Sequence, residues 1–321
     1  MCIVALCSFN LVPPPRVLLG GPPVSENERT QTPSQRMVES LATYLETQNG
    51  DMTILNSLPK KWEKHGDLIL LPQGSFEKWS EYAGPELWTL VAHSLGGQRL
   101  ALKGEVSGPE RRPNSELLLG ESGWVTHREH GIDYSFDVTK SMFSAGNLPE
   151  RGRIGGLDCS GETILDLYAG IGYYTLPLLV RAGGAHVYAC EWSEDAVDAL
   201  KHNLEANNVA ERCTVHAGDN LLTVAGDGSA AEVLGSCSRV ILGLLPSSED
   251  GWPLALAALK PEGGWLHLHG NAPGGNEEEW ANSVVEQIAE IDSRKVNLVN
   301  LVKVKWYAPH IRHCVLDIQI G

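Results

Sequence analysis

Apolar residues first recur at helical spacing from Met37, where VESLATYLETQ places Val38, Leu41 and Leu45 on one face. HGDLILLP, His65 to Pro72, is a short apolar strand bounded by glycine and proline. A helix is expected from Glu86 to Leu95. Strands are expected at ELLLG, WVTHRE and IDYSFDV, the last two parted by His130-Gly131. Together these predict a small α/β unit over residues 37–137. The 36 residues before it hold five prolines between Pro13 and Pro23 and then SENERTQTPSQ, which reads as a disordered leader. Residues 138–160 read as a linker to the rest of the chain.

After Gly161 the rhythm becomes strand–helix alternation. TILDL, AHVYACE, CTVHAGD, RVILGLL and GWLHLHG read as strands. TLPLLVRAG, SEDAVDALKHNLEANN, WPLALAAL and EEEWANSVVEQIAEI read as helices, the second with Ser193 as its N-cap. VNLVKVKWY and CVLDIQI then form a closing pair. Such alternation calls for a mostly parallel, doubly wound α/β sheet. The final pair is the pattern of class I methyltransferase-type Rossmann sheets, here over residues 161–321 and preceded by the smaller α/β domain.

Composition narrows the setting. At 42% apolar and 20% charged residues the 321-residue chain is ordinary for a globular protein. The seven cysteines (Cys2, Cys7, Cys159, Cys190, Cys213, Cys237, Cys314) never fall as CxxC, which argues against a metal site or a disulfide framework. The N-terminus lacks a basic region, and no stretch approaches ~20 apolar residues, so neither a signal peptide nor a membrane span is expected. A cytoplasmic location follows by default. The net charge of −15 requires any nucleic-acid face to be local.

The loop after the first strand of the large domain carries the candidate chemistry. Asp166 precedes Gly170 and Gly172, whose flexibility lets the backbone turn tightly and approach a ligand at the next helix N-terminus. Alone, these glycines are a weak signal that a plain tight β–α turn also fits. Glu191 ends the second strand, where a carboxylate meets a ribose diol; NAD and S-adenosylmethionine sites share that feature. Asp166 discriminates, since a pyrophosphate disfavours an anion there and the ammonium of a methionine moiety favours one. Asp219 and Asn220 follow the third strand, where they can read an adenine's amine. The set points to S-adenosylmethionine, with no metal.

At LDLYAGIGYYTLPLLVRAGG, VYACEW, GDN and RVILGLLPSSEDGW the chain resembles the tRNA wybutosine-synthesizing protein 2 family, from about Leu58 to the C-terminus. That family comprises aminocarboxypropyltransferases acting on the tricyclic guanosine (4-demethylwyosine) beside the anticodon of phenylalanine tRNA. They are relatives of the tRNA guanine-N1 methyltransferases. The resemblance implies transfer of the 3-amino-3-carboxypropyl group to C7 of the tricyclic base, with methylthioadenosine released. It places cofactor contacts at Ser144, Arg151, Glu191, Asp219 and Asn220. Where the N1-methyltransferases carry an Asn-Leu-Pro motif this chain has Gly243, so the side chain that would hold a target nitrogen is missing. No catalytic acid or base is identifiable. A guanine-N1 methyltransferase and an inert scaffold on the same fold remain the alternatives.

A tRNA partner needs a cationic face. Residues 293–316 contain no carboxylate but hold Arg294, Lys295, Lys303, Lys305 and Arg312, with His310, His313, Trp306 and Tyr307 among them. This suits a phosphate-and-base surface, and equally a lysine-protected edge strand. Lys60, Lys61, Lys64 and the Arg111-Arg112 pair offer further patches. No protein partner is expected.

Overall fold

A computed structural model of the chain describes residues 31–107, 112–224 and 230–321. Most of the expected leader, Cys2, Cys7 and Arg111 lie outside the described residues. The first helix, Pro33–Gln48, starts inside the stretch read as leader. Thr32 caps it: its hydroxyl accepts the Gln35 N–H at 3.3 Å, and the Gln35 side chain accepts the Thr32 N–H at 2.8 Å. Its buried row is Met37, Leu41 and Leu45. Val38, expected with them, is exposed, because it lies about 100° around the helix from Met37.

The small domain is a four-stranded sheet in the order β1-β2-β3-β6, from β1 (Glu63–His65), β2 (Leu68–Leu71), β3 (Arg99–Leu102) and β6 (Glu116–Leu119). The two-residue strands β4 (Val106–Ser107) and β5 (Arg112–Pro113) pair beside it. The strand expected in HGDLILLP is β2, with all four residues buried, and His65 at the head of that segment ends β1, its hairpin partner. Helices Pro33–Gln48 and Pro85–Ser94 cover one face around Trp79. The other face, through Leu68, Leu70 and Ala101, joins the core of the large domain. β3 carries no alternation and was not legible as a strand.

β7 (Trp124–Glu129) and β8 (Ile132–Asp137) form the expected hairpin. Asn203, on the helix Glu194–Ala206, fastens it to the large domain: its amide accepts the Ser135 N–H at 2.7 Å and donates to the Ser135 and Ile171 carbonyls at 3.0 and 2.9 Å. The linker contains a seven-residue helix, Leu148–Ile154, too short to show periodicity. Arg153 holds it by bidentate bonds to Glu150 and to Asp317.

The large sheet contains β9 (Thr163–Asp166), β10 (His186–Glu191), β11 (Cys213–Ala217), β12 (Arg239–Leu242), β13 (Gly264–Pro273), β14 (Val296–Ala308) and β15 (Ile311–Ile320). Their order is β11-β10-β9-β12-β13-β15-β14, with β9 to β13 parallel and β15 antiparallel to both its neighbours. This is the doubly wound, methyltransferase-type sheet expected from the alternation. The order reverses between β9 and β12, and ligands of such sheets bind at the strand C-termini beside that reversal.

No helix among the described residues is long and apolar enough to cross a membrane.

Candidate functional site

At that reversal lies a cavity of about 420 Å³, within the range of small-molecule sites. Glu191, at the end of β10, lines it. Its Oε2 accepts the Gly170 N–H at 2.8 Å, and its Oε1 accepts the N–H groups of Trp192 and Ser193 at 3.0 and 2.9 Å. The carboxylate thus fixes the glycine loop while still facing the cavity. Ser193 occupies the N-cap position, but its side chain makes no cap bond.

Gly170 has φ +56°, and a Cβ there would stand 2.6 Å from the Tyr173 ring. Gly172 has φ +102° and would meet Leu176 at 2.9 Å. Both positions need glycine for conformation and for space. Asp219 caps the short helix Asn220–Thr223, its Oδ1 accepting the Leu221 N–H at 2.9 Å. The Asn220 amide donates to the Leu167 carbonyl at 2.7 Å, tying this turn to the end of β9. Glu191, Asp219, Asn220, Gly170 and Ser144 all line the one cavity.

Asp166, Arg151 and Gly172 stand behind its wall and are not among the lining residues. Asp166 is fully buried at the end of β9 and accepts the Thr175 hydroxyl at 2.8 Å. Burial pushes its carboxyl up to about 6, against the Thr175 bond. Its expected meeting with a ligand ammonium is therefore not direct in this geometry. Arg151 is 1% exposed rather than the surface charge its type suggests. It makes a two-pronged pair with Glu129, one prong at 2.9 Å, and donates to the Ser144 carbonyl at 3.0 Å. Its guanidinium lies 4.7 Å from the centre of the Phe143 ring. Arg151 thus positions the Ser144 segment from behind.

The far end of the cavity is built by β12 to β15. Gly243 lines it, and a Cβ at Gly243 would stand 3.2 Å from the Tyr174 ring. A side chain at Gly243, the position set against the Asn-Leu-Pro motif, would need that ring to give by a few tenths of an ångström. Tyr174 in turn lies 4.8 Å from the ring of His269. His269 Nδ1 and His313 Nε2 are 3.0 Å apart, and their other ring nitrogens are buried without a partner. Burial lowers His313 to about 4, with the nearby Lys305 ammonium adding to the shift. Burial and the neighbouring His313 hold His269 well below its ordinary value. Both rings are therefore neutral at pH 7.

The expected cationic stretch is divided by the fold. Arg294 pairs with Asp292 and caps the carbonyls of Lys260 and Leu256, both at 2.8 Å. Lys303 and Arg312 share Glu277 at 3.3 and 3.5 Å. His313 is buried, and Lys305 turns inward to the cavity. Trp306 stays 56% exposed with the Arg312 guanidinium 3.8 Å from its ring centre, beside exposed Tyr307. Lys60, Lys61 and Lys64 are exposed on the small domain. Among the described residues no group of three or more His, Cys, Asp or Glu could hold a metal ion.

Residues 125–299 match the TRM5/TYW2 methyltransferase domain, and residues 43–123 match the TYW2 N-terminal domain. The tRNA wybutosine-synthesizing protein 2 homolog of Danio rerio is 40% identical over 337 residues, covering 92% of this chain and 80% of its own length. The tRNA wybutosine-synthesizing protein 2/3/4 of Arabidopsis thaliana is 45% identical over 297 residues, 90% of this chain. The chain spans only 29% of that relative's length. The crystal structure of P. horikoshii TYW2 in complex with MeSAdo superposes with a TM-score of 0.74 at 28% identity, covering 89% of this chain and 98% of that one. With both domain matches, a relative at 40% identity over four fifths of its own length and a shared fold, the chain belongs to the tRNA wybutosine-synthesizing protein 2 family.

Proposed function

We propose that this protein is a tRNA-modifying transferase that moves the 3-amino-3-carboxypropyl group of S-adenosylmethionine to C7 of the tricyclic guanosine in phenylalanine tRNA. The cavity fits that cofactor by the chemistry of its walls. Glu191 would hold the ribose hydroxyls and Asp219 the adenine amine, with Trp192 and Leu221 as apolar walls. The loop at Gly170, which lines the cavity and carries no side chain, would admit the nucleoside close to the backbone. Bound there, S-adenosylmethionine supplies a sulfonium with three electrophilic carbons, and the pose of its arm selects which one the base meets.

The observation that carries the reading is the pairing of Gly243 with Tyr174. Gly243 offers no side chain to hold a target nitrogen, and the Tyr174 ring beside it in the cavity wall leaves little room for one, which suits a carbon nucleophile. The relative solved with MeSAdo, a nucleoside lacking the aminocarboxypropyl arm, supports the same transfer. C7 bonds to the γ-carbon, the bond from that carbon to sulfur breaks with its electron pair on sulfur, and the C7 proton is lost. The protein's contribution is to hold the two carbons in near-attack geometry.

Incubation with carboxyl-labelled cofactor and tRNA already bearing the tricyclic base should give labelled tRNA and methylthioadenosine. Methyl label in plain guanosine tRNA, with S-adenosylhomocysteine released, would overturn the reading in favour of a guanine-N1 methyltransferase.

A further inference from the structure

β14 carries Lys303 and Lys305, two residues apart, so a regular strand would place both on one face. The ladder with β15 breaks between them: Lys303 lies opposite Cys314, whereas Lys305 lies opposite the adjacent residue, His313. Consecutive residues of β15 face opposite sides of the sheet, so this bulge sends the two lysines to opposite faces. Lys303 reaches Glu277 on the helix Glu277–Ile291. Lys305 points to the other side, into the cavity, and its Nζ donates to the Ser144 hydroxyl at 2.8 Å.

Ser144 is itself fixed. Its carbonyl is held by Arg151, which is locked to Glu129, so four side chains from four segments converge on one point of the wall. The other lysine at the cavity, Lys140, is paired with Asp195 at 2.9 Å. The cavity is thus polar in sense. The acids Glu191 and Asp219 stand at the ends of β10 and β11, and an ammonium stands on β14, at the other edge of the sheet.

S-adenosylmethionine has the matching polarity. Hydroxyls and an amine lie on its nucleoside, and its one carboxylate lies at the tip of the methionine arm. We infer that Lys305, with the Ser144 hydroxyl, is the carboxylate-binding pair that seats the aminocarboxypropyl arm and so determines which carbon faces the base. The inference rests on the S-adenosylmethionine reading of the cavity; Arg151, a cofactor contact by resemblance, is paired with Glu129 and does not line the cavity, whereas Lys305 does. Anchoring the nucleoside at one end and the carboxylate at the other fixes the sulfonium between two points. A cofactor held by its nucleoside alone would leave the arm free to rotate.

The test compares two ligands that differ in that arm. Calorimetry should measure S-adenosylmethionine and methylthioadenosine, which has no carboxylate, against wild type, Lys305→Met and Lys305→Arg. A charge-assisted hydrogen bond is lost in Lys305→Met, so S-adenosylmethionine should bind on the order of 10- to 100-fold more weakly. Methylthioadenosine should change less than about twofold, which also shows that the variant is folded. Lys305→Arg should recover part of the loss. Equal weakening of both ligands, or none of either, would overturn the inference alone. Wild type that binds neither ligand would overturn the S-adenosylmethionine reading and the inference with it. Should Lys305→Met fail to fold, Ser144→Ala gives the same discrimination with a smaller change. It should weaken S-adenosylmethionine selectively, and equal affinities for both ligands would again count against the pair.

Discussion

Replacing Glu129 by Gln keeps the side chain's shape and removes the charge opposite Arg151. Both partners are almost wholly enclosed, at 6% and 1% exposure, so the guanidinium would stay buried without its counter-charge. Breaking such a pair from one side costs about 3–5 kcal/mol. The Gln oxygen can still accept one bond, which puts the expected loss near the lower end, about 3 kcal/mol. Arg151→Met should cost somewhat less, because Glu129 keeps His127 Nε2 at 3.3 Å. The double variant removes both charges and should be more stable than either single one, a coupling that a double-mutant cycle measures directly. Urea unfolding with an unchanged slope is the assay. Because Arg151 also holds the Ser144 carbonyl, S-adenosylmethionine affinity should fall in both single variants. Arg151→Lys keeps the charge and loses the fork, so a cost of about 1–2 kcal/mol is expected. A Glu129→Gln cost below about 1 kcal/mol, or simple additivity, would refute the enclosed pair. Unaltered binding in Arg151→Met would show that the Ser144 segment keeps its place without the guanidinium.

Further outcomes follow from the same geometry. The folded protein holds His313 at about 4 against an ordinary 6.5, so below pH 6.5 the unfolded chain binds a proton that the folded one refuses. Stability should therefore fall as pH drops from 6.5 to 4, by about 3 kcal/mol from this group. His313→Gln should flatten that slope in pH-dependent urea unfolding, and an unchanged slope would exclude the assignment. Glu191→Ala should weaken S-adenosylmethionine by ~1–3 kcal/mol in calorimetry, and unaltered affinity would remove Glu191 from the ribose. Gly243→Asn forces a side chain against Tyr174 and should cost ~1–3 kcal/mol of stability without creating methyl transfer to guanosine. If Trp306 stacks on a base, Trp306→Ala should lower tRNA affinity by roughly 1–3 kcal/mol while leaving cofactor affinity alone. Filter binding that shows no change would return Trp306 to an uncommitted surface.

Local rules were enough to read much of this protein. Alternating apolar runs after Gly161 determined the doubly wound sheet, because each strand and helix must bury one face whatever its neighbours are. Gly170, Glu191 and Asp219 were legible because a strand end, a tight turn and an acid at fixed spacing are properties of short segments. The start of the first helix was also written locally, in Thr32 and Gln35, although the proline-rich run before it draws the boundary too late. What sequence could not supply was direction. Arg151 reads as an exposed charge until a hairpin more than twenty residues earlier brings Glu129 over it. Lys303 and Lys305 share a face by strand periodicity, and only the bulge against β15 parts them. His269 and His313 meet because β13 and β15 pair in an antiparallel register set by the whole sheet. Period and composition are carried by each segment alone, whereas ion pairs, register shifts and the sides of a cavity exist only between segments. Those were decided by packing.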